Sequence, residues 1–395
     1  MRPVSPLGLA DELHAVATAF ERAVLPVDLV MRVDTVVIGA GIVGLSVARE
    51  IARSGREVLV AERGGHIGSE TSSRNSEVLH SGIYYPRKSL KARLCVVGRE
   101  LLAAYCASRD IPHRWTGKLV LAVSRAEVSA LDGYETLGLA NGVVGLRRLG
   151  PAEVRALEPN VTCVAALYSP ASGIVDSHSL MTSLWGDLQA AGGEVVFHSE
   201  VESGMRTADG FELCVAGESI ACGRLVNCAG LAAPAIASRL AGCADRHTPR
   251  PYFARGHYFS LSGPAPFRRL VYPIAEAAGL GIHATLDLAG KVRFGPDIEW
   301  CAKADYSFDA GRRNQFVAAI RKYYPALEPD QLQPDYVGVR PKIVGPGEAA
   351  ADFRIDGPSS HGVPGLVHLY GIESPGLTAC LAIGKRVYDL LNDDG

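Results

Sequence analysis

The stretch VDTVVIGAGIVGLSVAREIARSGREVLVAER, residues 33–63, decides the fold. Residues 35–38 form a β-branched apolar run of the kind that makes a buried strand. Gly39, Gly41 and Gly44 follow at once in the spacing G-x-G-x-x-G. Residues 45–54 then read as a helix and residues 58–61 as a second buried strand. In such a unit the first glycine makes the tight turn and the second lets the backbone approach a pyrophosphate. The third lets the helix pack on the strand, and the helix N-terminus faces the phosphates. Glu62 ends the second strand, where a carboxylate can accept from ribose hydroxyls. Gly39, Gly41, Ile42, Val43, Gly44, Glu62 and Arg63 are therefore expected at a dinucleotide. A glycine triplet alone is weak evidence; strand, turn, helix, strand and acid in order are specific.

Both NAD and FAD enzymes use this unit, and two later segments favour FAD. RLVNCAGLAA, residues 224–233, is another strand-to-turn entry, with small residues Ala229 and Gly230 at the turn. GLVHLYGIESPGLTACLAIGKRVYDLL, residues 365–391, gives a strand over 366–370 and a helix from about 377. Leu377, Cys380, Leu381, Gly384, Tyr388 and Leu391 form its sheet-facing stripe. Pro375, Gly376, Leu377 and Thr378 open that helix, so its positive end would stabilise the negative charge of a reduced flavin. A chain that leaves a nucleotide domain and returns to complete it suits FAD better than NAD.

Composition excludes several classes. The chain has 395 residues, a net charge of −2 and no basic run, so nucleic acid is not an expected partner. Its nine cysteines show no CxxC pair, which reads as reduced, intracellular and cytoplasmic. No His/Asp/Glu cluster has metal spacing, and no apolar run is long enough for a bilayer. Peripheral membrane contact stays open. Leu13, Val16, Phe20 and Val24 lie on one helical stripe, so residues 1–31 read as an extension with a short helix. Met31 directly precedes the first strand and is an alternative start.

The middle of the chain alternates differently. Residues 118–123 read as a strand, 127–140 and 178–191 as helices, and 194–197 as a strand. The Asp209-Gly210 pair between short alternating runs signals a hairpin. Residues 256–261, 271–274, 280–284 and 292–295 read as short strands, followed by a helix over 313–323. The expected fold is α/β with α+β: a Rossmann-like FAD-binding domain (32–114, 163–250 and 341–395) and an inserted antiparallel-sheet substrate domain (115–162 and 251–340).

RNSEVLHSGIYY, residues 74–85, packs polar groups and rings into a poor helix, as a ligand wall would. The longer run TSSRNSEVLHSGIYYPRKSLKARLCVVGRELL (71–102) resembles the L-2-hydroxyglutarate dehydrogenase/oxidase family, within the D-amino-acid-oxidase-like FAD enzymes. SPASGIVDSHSL (169–180), RGHYFSL (255–261), GLGIHATLDLAGKVRFGPDIEW (279–300) and VGVRPK (337–342) resemble it too. The resemblance spans roughly residues 32–392. Glu77 departs from it, standing where the family usually has glycine.

The resemblance implies FAD-dependent oxidation of an L-2-hydroxy dicarboxylate, foremost L-2-hydroxyglutarate to 2-oxoglutarate. Ser73, Asn75 and Ser76 would lie near the cofactor, His80 near the isoalloxazine, and Tyr85 would close the pocket. One of Tyr84 and Tyr85 is expected in the core. Such chemistry needs a base for the hydroxyl proton and a cation for the carboxylate. Arg340 resembles the carboxylate-binding arginine of a G-x-R-P strand. Arg255 is a second carboxylate contact or an interface arginine, and Lys342 a solvated neighbour. His283 and His80 compete for the base, with His283 preferred because a strand would hold it rigidly. An amino-acid oxidase of the glycine or D-amino-acid type and a non-catalytic flavin scaffold are the competing functions. Oxygen, a quinone or a soluble carrier could take the electrons.

Overall fold

The computed structural model describes residues 31–243, 248–274 and 281–392. The amphipathic run expected near the N-terminus lies outside them.

Val36, Val37 and Ile38 are buried in a parallel sheet. Their strand, Met31–Ile38, pairs with Val58–Ala61 on one side and Glu218–Asn227 on the other. Glu194–Val196 extends the sheet beyond Val58–Ala61. The far edge of Glu218–Asn227 is shared. Gly210–Val215 takes its first half and Leu366–Tyr370 its second, so the chain does return to complete the sheet. The Asp-Gly signal is realised as the hairpin Val201–Thr207 to Gly210–Val215.

Helices Ile42–Ala52, Leu90–Ser108, Ser177–Ala190 and Gly376–Asn392 bring Leu45, Ile51, Leu102, Leu184 and Ile383 into one core with Val37. Each such side chain stabilises the fold by roughly 1.5–3 kcal/mol. The closing helix is buried on far more than one stripe, because it packs against both Ile42–Ala52 and Leu90–Ser108. Gly98 permits the second contact: a Cβ there would meet Thr378 O at 2.5 Å.

A second sheet runs in the order Glu299–Cys301, Tyr252–Leu261, Val292–Phe294, Ala284–Leu286, Leu270–Pro273, Lys118–Ala122, Ala165–Ser169 and Arg147–Leu149. Leu332–Lys342 pairs along Tyr252–Leu261. Phe259, Phe294, Phe316, Ile320 and Tyr323 form its core under helix Arg313–Arg321. Two details differ from expectation. Ala165–Ser169 pairs antiparallel with Lys118–Ala122, so it belongs to this sheet although the sequence boundary at 163 puts it in the other domain. The strand expected over 280–284 starts only at Ala284, leaving His283 just ahead of it. A small sheet of Val78–Leu79, Gly173–Val175 and His113–Arg114 stands beside the two large ones. Among the described residues, no helix is long and apolar enough to cross a membrane.

Candidate active site

A cavity of about 1090 Å³ is lined by residues of both large sheets, and the glycine turn forms one end of it. Gly39 has φ +98°, a conformation that L side chains rarely adopt. A Cβ on Gly44 would stand 1.9 Å from Gly39 O, so only glycine lets the helix start there. Glu62 is held by two backbone donors: Ala40 N–H to Oε2 and Gly64 N–H to Oε1, each at 2.7 Å. A carboxylate has further lone pairs, so it can still accept from a ligand hydroxyl. Helix starts leave N–H groups without intrahelical partners. Ile42 N–H donates to Ser72 Oγ at 2.9 Å, while Val43 and Gly44 line the cavity with Arg63, Ala229 and Gly230.

Ser72 is a residue the sequence reading missed, and its neighbour Ser73 is a correction. Ser73 is exposed and its hydroxyl bonds back to Glu70 O, outside the cavity wall. Within this turn Ser72 reaches the helix entry, whereas Ser73 faces solvent. Asn75 and Ser76 do line the cavity. Asn75 Oδ1 accepts from Glu77 N–H at 2.7 Å, and Ser76 Oγ meets Tyr258 OH at 2.8 Å. Glu77 has φ +55°, which explains why glycine suits this position. Its carboxylate accepts from Ser177 N–H and Oγ and lies near Arg293, so the side chain has structural partners.

Pro375, Gly376 and Leu377 line the cavity but Thr378 does not. Thr378 is fully buried; its Oγ1 accepts from His80 N–H at 3.0 Å and donates to Val78 O at 3.2 Å. It ties the closing helix to the histidine segment instead of facing a ligand.

The other end of the cavity holds His80, His283, Tyr85 and Arg340 together. His80 Nε2 is 3.2 Å from Ser374 Oγ, on the side of the closing-helix entry. His283 lies flat on Tyr272, with 3.6 Å between centroids and 9° between planes. Burial holds both imidazoles well below the usual histidine range. Lys118 reinforces this for each; His283 adds to it at His80, and Arg340 at His283. Both rings are therefore neutral near pH 7. Tyr84 also lines the cavity, yet its ring packs edge-on against Tyr134 at 5.2 Å in the core.

Strand alternation separates the two arginines. Arg340 pairs across from Ala254, on the face shared with Gly256 and Tyr258, both in the cavity wall. Its nearest polar partner is Asp297 O at 3.5 Å, and no described carboxylate is within ion-pair distance. Arg255 sits one residue along, on the opposite face, bound to Glu299 at 2.8 Å and Asp305 at 2.7 Å. It does not reach the cavity, which corrects its reading as a carboxylate contact. Lys342 is not a solvated neighbour. Its ammonium and that of Lys91 meet Glu373 at 2.8 and 3.1 Å, all three nearly buried in the cavity wall. Tyr258, Tyr272, Lys91, Lys118 and Glu373 were invisible in sequence, since nothing in a strand or loop pattern marks which polar residue turns inward.

The residues fit FAD. The cavity is larger than a small substrate needs, and a Cβ on Gly41 would stand 3.0 Å from Ser72 Oγ, so glycine keeps the passage there widest. Gly39 to Gly44 with Glu62 would hold the dinucleotide half. Asn75, Ser76, His80 and the 375–377 turn would hold the flavin half. All nine cysteines are free thiols, and no described His, Cys, Asp or Glu residues group to hold a metal.

Comparison with known proteins gives the family and the fold. The family model described as FAD dependent oxidoreductase matches residues 34–390. The mitochondrial L-2-hydroxyglutarate dehydrogenase of Arabidopsis thaliana is 46% identical, covering 90% of this chain and 83% of its own. The Homo sapiens protein of that name is 30% identical (90% and 88% covered), and the L-2-hydroxyglutarate dehydrogenase of Salmonella houtenae is 30% identical (90% and 92%). Among solved structures, FAD-bound L-alpha-glycerophosphate oxidase from Mycoplasma pneumoniae shares the fold with TM-score 0.83 at 24% identity, covering 91% and 95%. Glycine oxidase from Geobacillus kaustophilus does so with TM-score 0.79 at 20% identity, covering 92% and 95%. The chain belongs to the FAD dependent oxidoreductase family, among its L-2-hydroxyglutarate dehydrogenases.

Proposed function

We propose that this enzyme oxidises L-2-hydroxyglutarate to 2-oxoglutarate, with His283 as the base and Arg340 as the carboxylate anchor. The observation that carries this reading is the meeting of a neutral His283 and an Arg340 without a described carboxylate partner in one cavity wall. Arg340 binds the C1 carboxylate through two parallel hydrogen bonds, which orients the single C2 hydrogen toward the cofactor. His283 takes the C2 hydroxyl proton as the carbonyl forms. Bound FAD supplies the two-electron sink that accepts the C2 hydrogen with its electron pair. His80 is a cofactor contact, because its ring and N–H are tied to Ser374 and Thr378 at the closing-helix entry. Tyr85 closes the pocket over the substrate. Buried, uncharged walls of Tyr84, Tyr272 and Tyr258 exclude water from the reacting centre.

Anaerobic mixing with a panel of L- and D-2-hydroxy acids and amino acids tests this. L-2-Hydroxyglutarate should bleach the flavin fastest. Bleaching by glycine or a D-amino acid instead would make it an amino-acid oxidase, and bleaching by nothing would leave a scaffold. Reoxidation by oxygen, a quinone or a soluble carrier identifies the acceptor. The cytoplasmic reading rests on the free thiols, and cell fractionation tests it.

A further inference from the structure

Lys118 is fully buried, and its ammonium has no hydrogen-bond partner among the described residues. It begins the otherwise apolar strand Lys118–Ala122. A core gains nothing from an unpaired ammonium that a methionine would not supply at lower cost. Its compensation is aromatic: the nitrogen is 4.0 Å from the Tyr272 centroid and 5.4 Å from that of Tyr84.

The strand order explains what lies beyond Tyr272. Lys118–Ala122, Leu270–Pro273 and Ala284–Leu286 are adjacent. Leu270 stands opposite Lys118 and Val271 opposite Ala284, so Tyr272 rises between the lysine and His283. A cation contacts the ring from one side and an imidazole stacks on it, at 3.6 Å, from the other.

We propose that Lys118 is a positioning residue for this oxidation: through Tyr272, its charge keeps the His283 ring stacked and unprotonated, ready to take the hydroxyl proton. The inference rests on His283 being the base. A ring whose quadrupole already serves one cation gains little from a second, and two positive charges repel strongly in a dry interior. A neutral imidazole stacks there without that cost. Among the described residues, the charged and titratable groups facing His283 are Lys118, the stacked Tyr272, Arg340 from strand Leu332–Lys342, and His80 from the segment after Val78–Leu79. No described carboxylate is among them. A bound substrate carboxylate neutralises Arg340 during turnover, whereas Lys118 has no counter-ion among the described residues. Below about pH 7, where Lys118 is protonated, it is thus the charge that still acts on His283 in the productive complex. Cys95 and Tyr84 are its remaining neighbours, and burial brings its own pKa down to about 7.

The test is Lys118→Met in the FAD-loaded enzyme, with histidine-ring NMR titration and melting temperature as readouts. His283→Gln assigns the His283 signal. The variant should melt higher, because a buried unpaired charge is replaced by an apolar side chain of similar length. Its His283 midpoint should rise by roughly one pH unit, the low end of what a neighbouring charge does. An unmoved midpoint overturns the proposal. A variant that melts lower or fails to fold overturns it as well, since it would show that Lys118 serves the fold. If His283→Gln reduces flavin at the normal rate, the base assignment fails instead, whatever the titration shows.

Discussion

Tyr272 and His283 lie face to face, 3.6 Å apart and within 9° of parallel, although His283 precedes its strand. The stacking supplies the rigidity that a strand position would have given. It leaves the ring one open face toward the cavity, where Arg340 also points.

This pairing predicts a pH profile. Burial first, then Lys118 and Arg340, hold the His283 pKa below the ordinary value of about 6.5. The base works when unprotonated, so flavin reduction should rise with pH through a midpoint below 6.5 and stay flat through neutrality. His283→Gln should slow reduction by roughly 10²–10⁴-fold and remove that limb, with FAD still bound. Single-turnover reduction across pH measures both. If His80→Gln loses the limb and His283→Gln keeps it, the roles are reversed.

Arg340 and Arg255 should separate cleanly. Arg340→Ala loses a charged hydrogen-bond donor to substrate, roughly 1.5–3 kcal/mol, or about 10- to 150-fold in kcat/KM. Lysine should rescue only partly, lacking the planar fork. Arg255→Ala removes contacts to Glu299 and Asp305 on the outer face, so it should lower the melting temperature and spare kcat/KM. Equal kinetic losses in both variants would contradict the two-face assignment.

The nucleotide half was legible because backbone requirements leave marks in sequence. Gly39 and Gly44 are glycines for reasons of φ and close approach, and Glu62 stands at a fixed distance from them. The substrate half was legible only through single residues. Arg340 and His283 could be named, but Arg255 stayed open between a carboxylate contact and an interface arginine, because which face of a strand looks inward depends on the partner strand. Ser72 and Ser73 pose the same problem within a turn. Lys342 read as a solvated lysine and Lys118 only as the start of a strand, since burial of a lysine is decided by long-range packing that no local pattern records. Helix Leu90–Ser108 was not delimited in advance, as its buried and exposed residues show no single clean stripe.

The glycine turn gives a prediction with little room for adjustment. Gly44→Ala would put a Cβ 1.9 Å from Gly39 O, so the helix must shift away from the strand. Overpacking of this kind costs about 1–3 kcal/mol, and it moves the N–H groups that would receive the pyrophosphate. The purified variant should be colourless or lose FAD on dilution, measured by absorbance after gel filtration. Yellow protein with full FAD content would mean that the turn tolerates the shift.

Glu373 offers an acid-stability prediction. Burial pushes its pKa up, but Lys91 and Lys342, with Arg340 nearby, outweigh this and hold it below the usual carboxylate value. A carboxylate depressed in the folded state stabilises the protein at pH above its unfolded value of about 4.3. That stability is lost as pH falls through the lower, folded value. Wild type should therefore show a falling melting temperature below about pH 4.3, part of which belongs to this group. Glu373→Gln leaves two ammonium groups in the cavity wall without their carboxylate. Breaking a buried pair from one side costs about 3–5 kcal/mol, so the variant should melt well below wild type at pH 7. As acid removes the charge from the wild-type carboxylate, the gap between the two proteins should narrow. Melting curves from pH 3 to 8 decide it, and a gap that stays constant across that range would show that the Lys91–Glu373–Lys342 contact contributes packing alone.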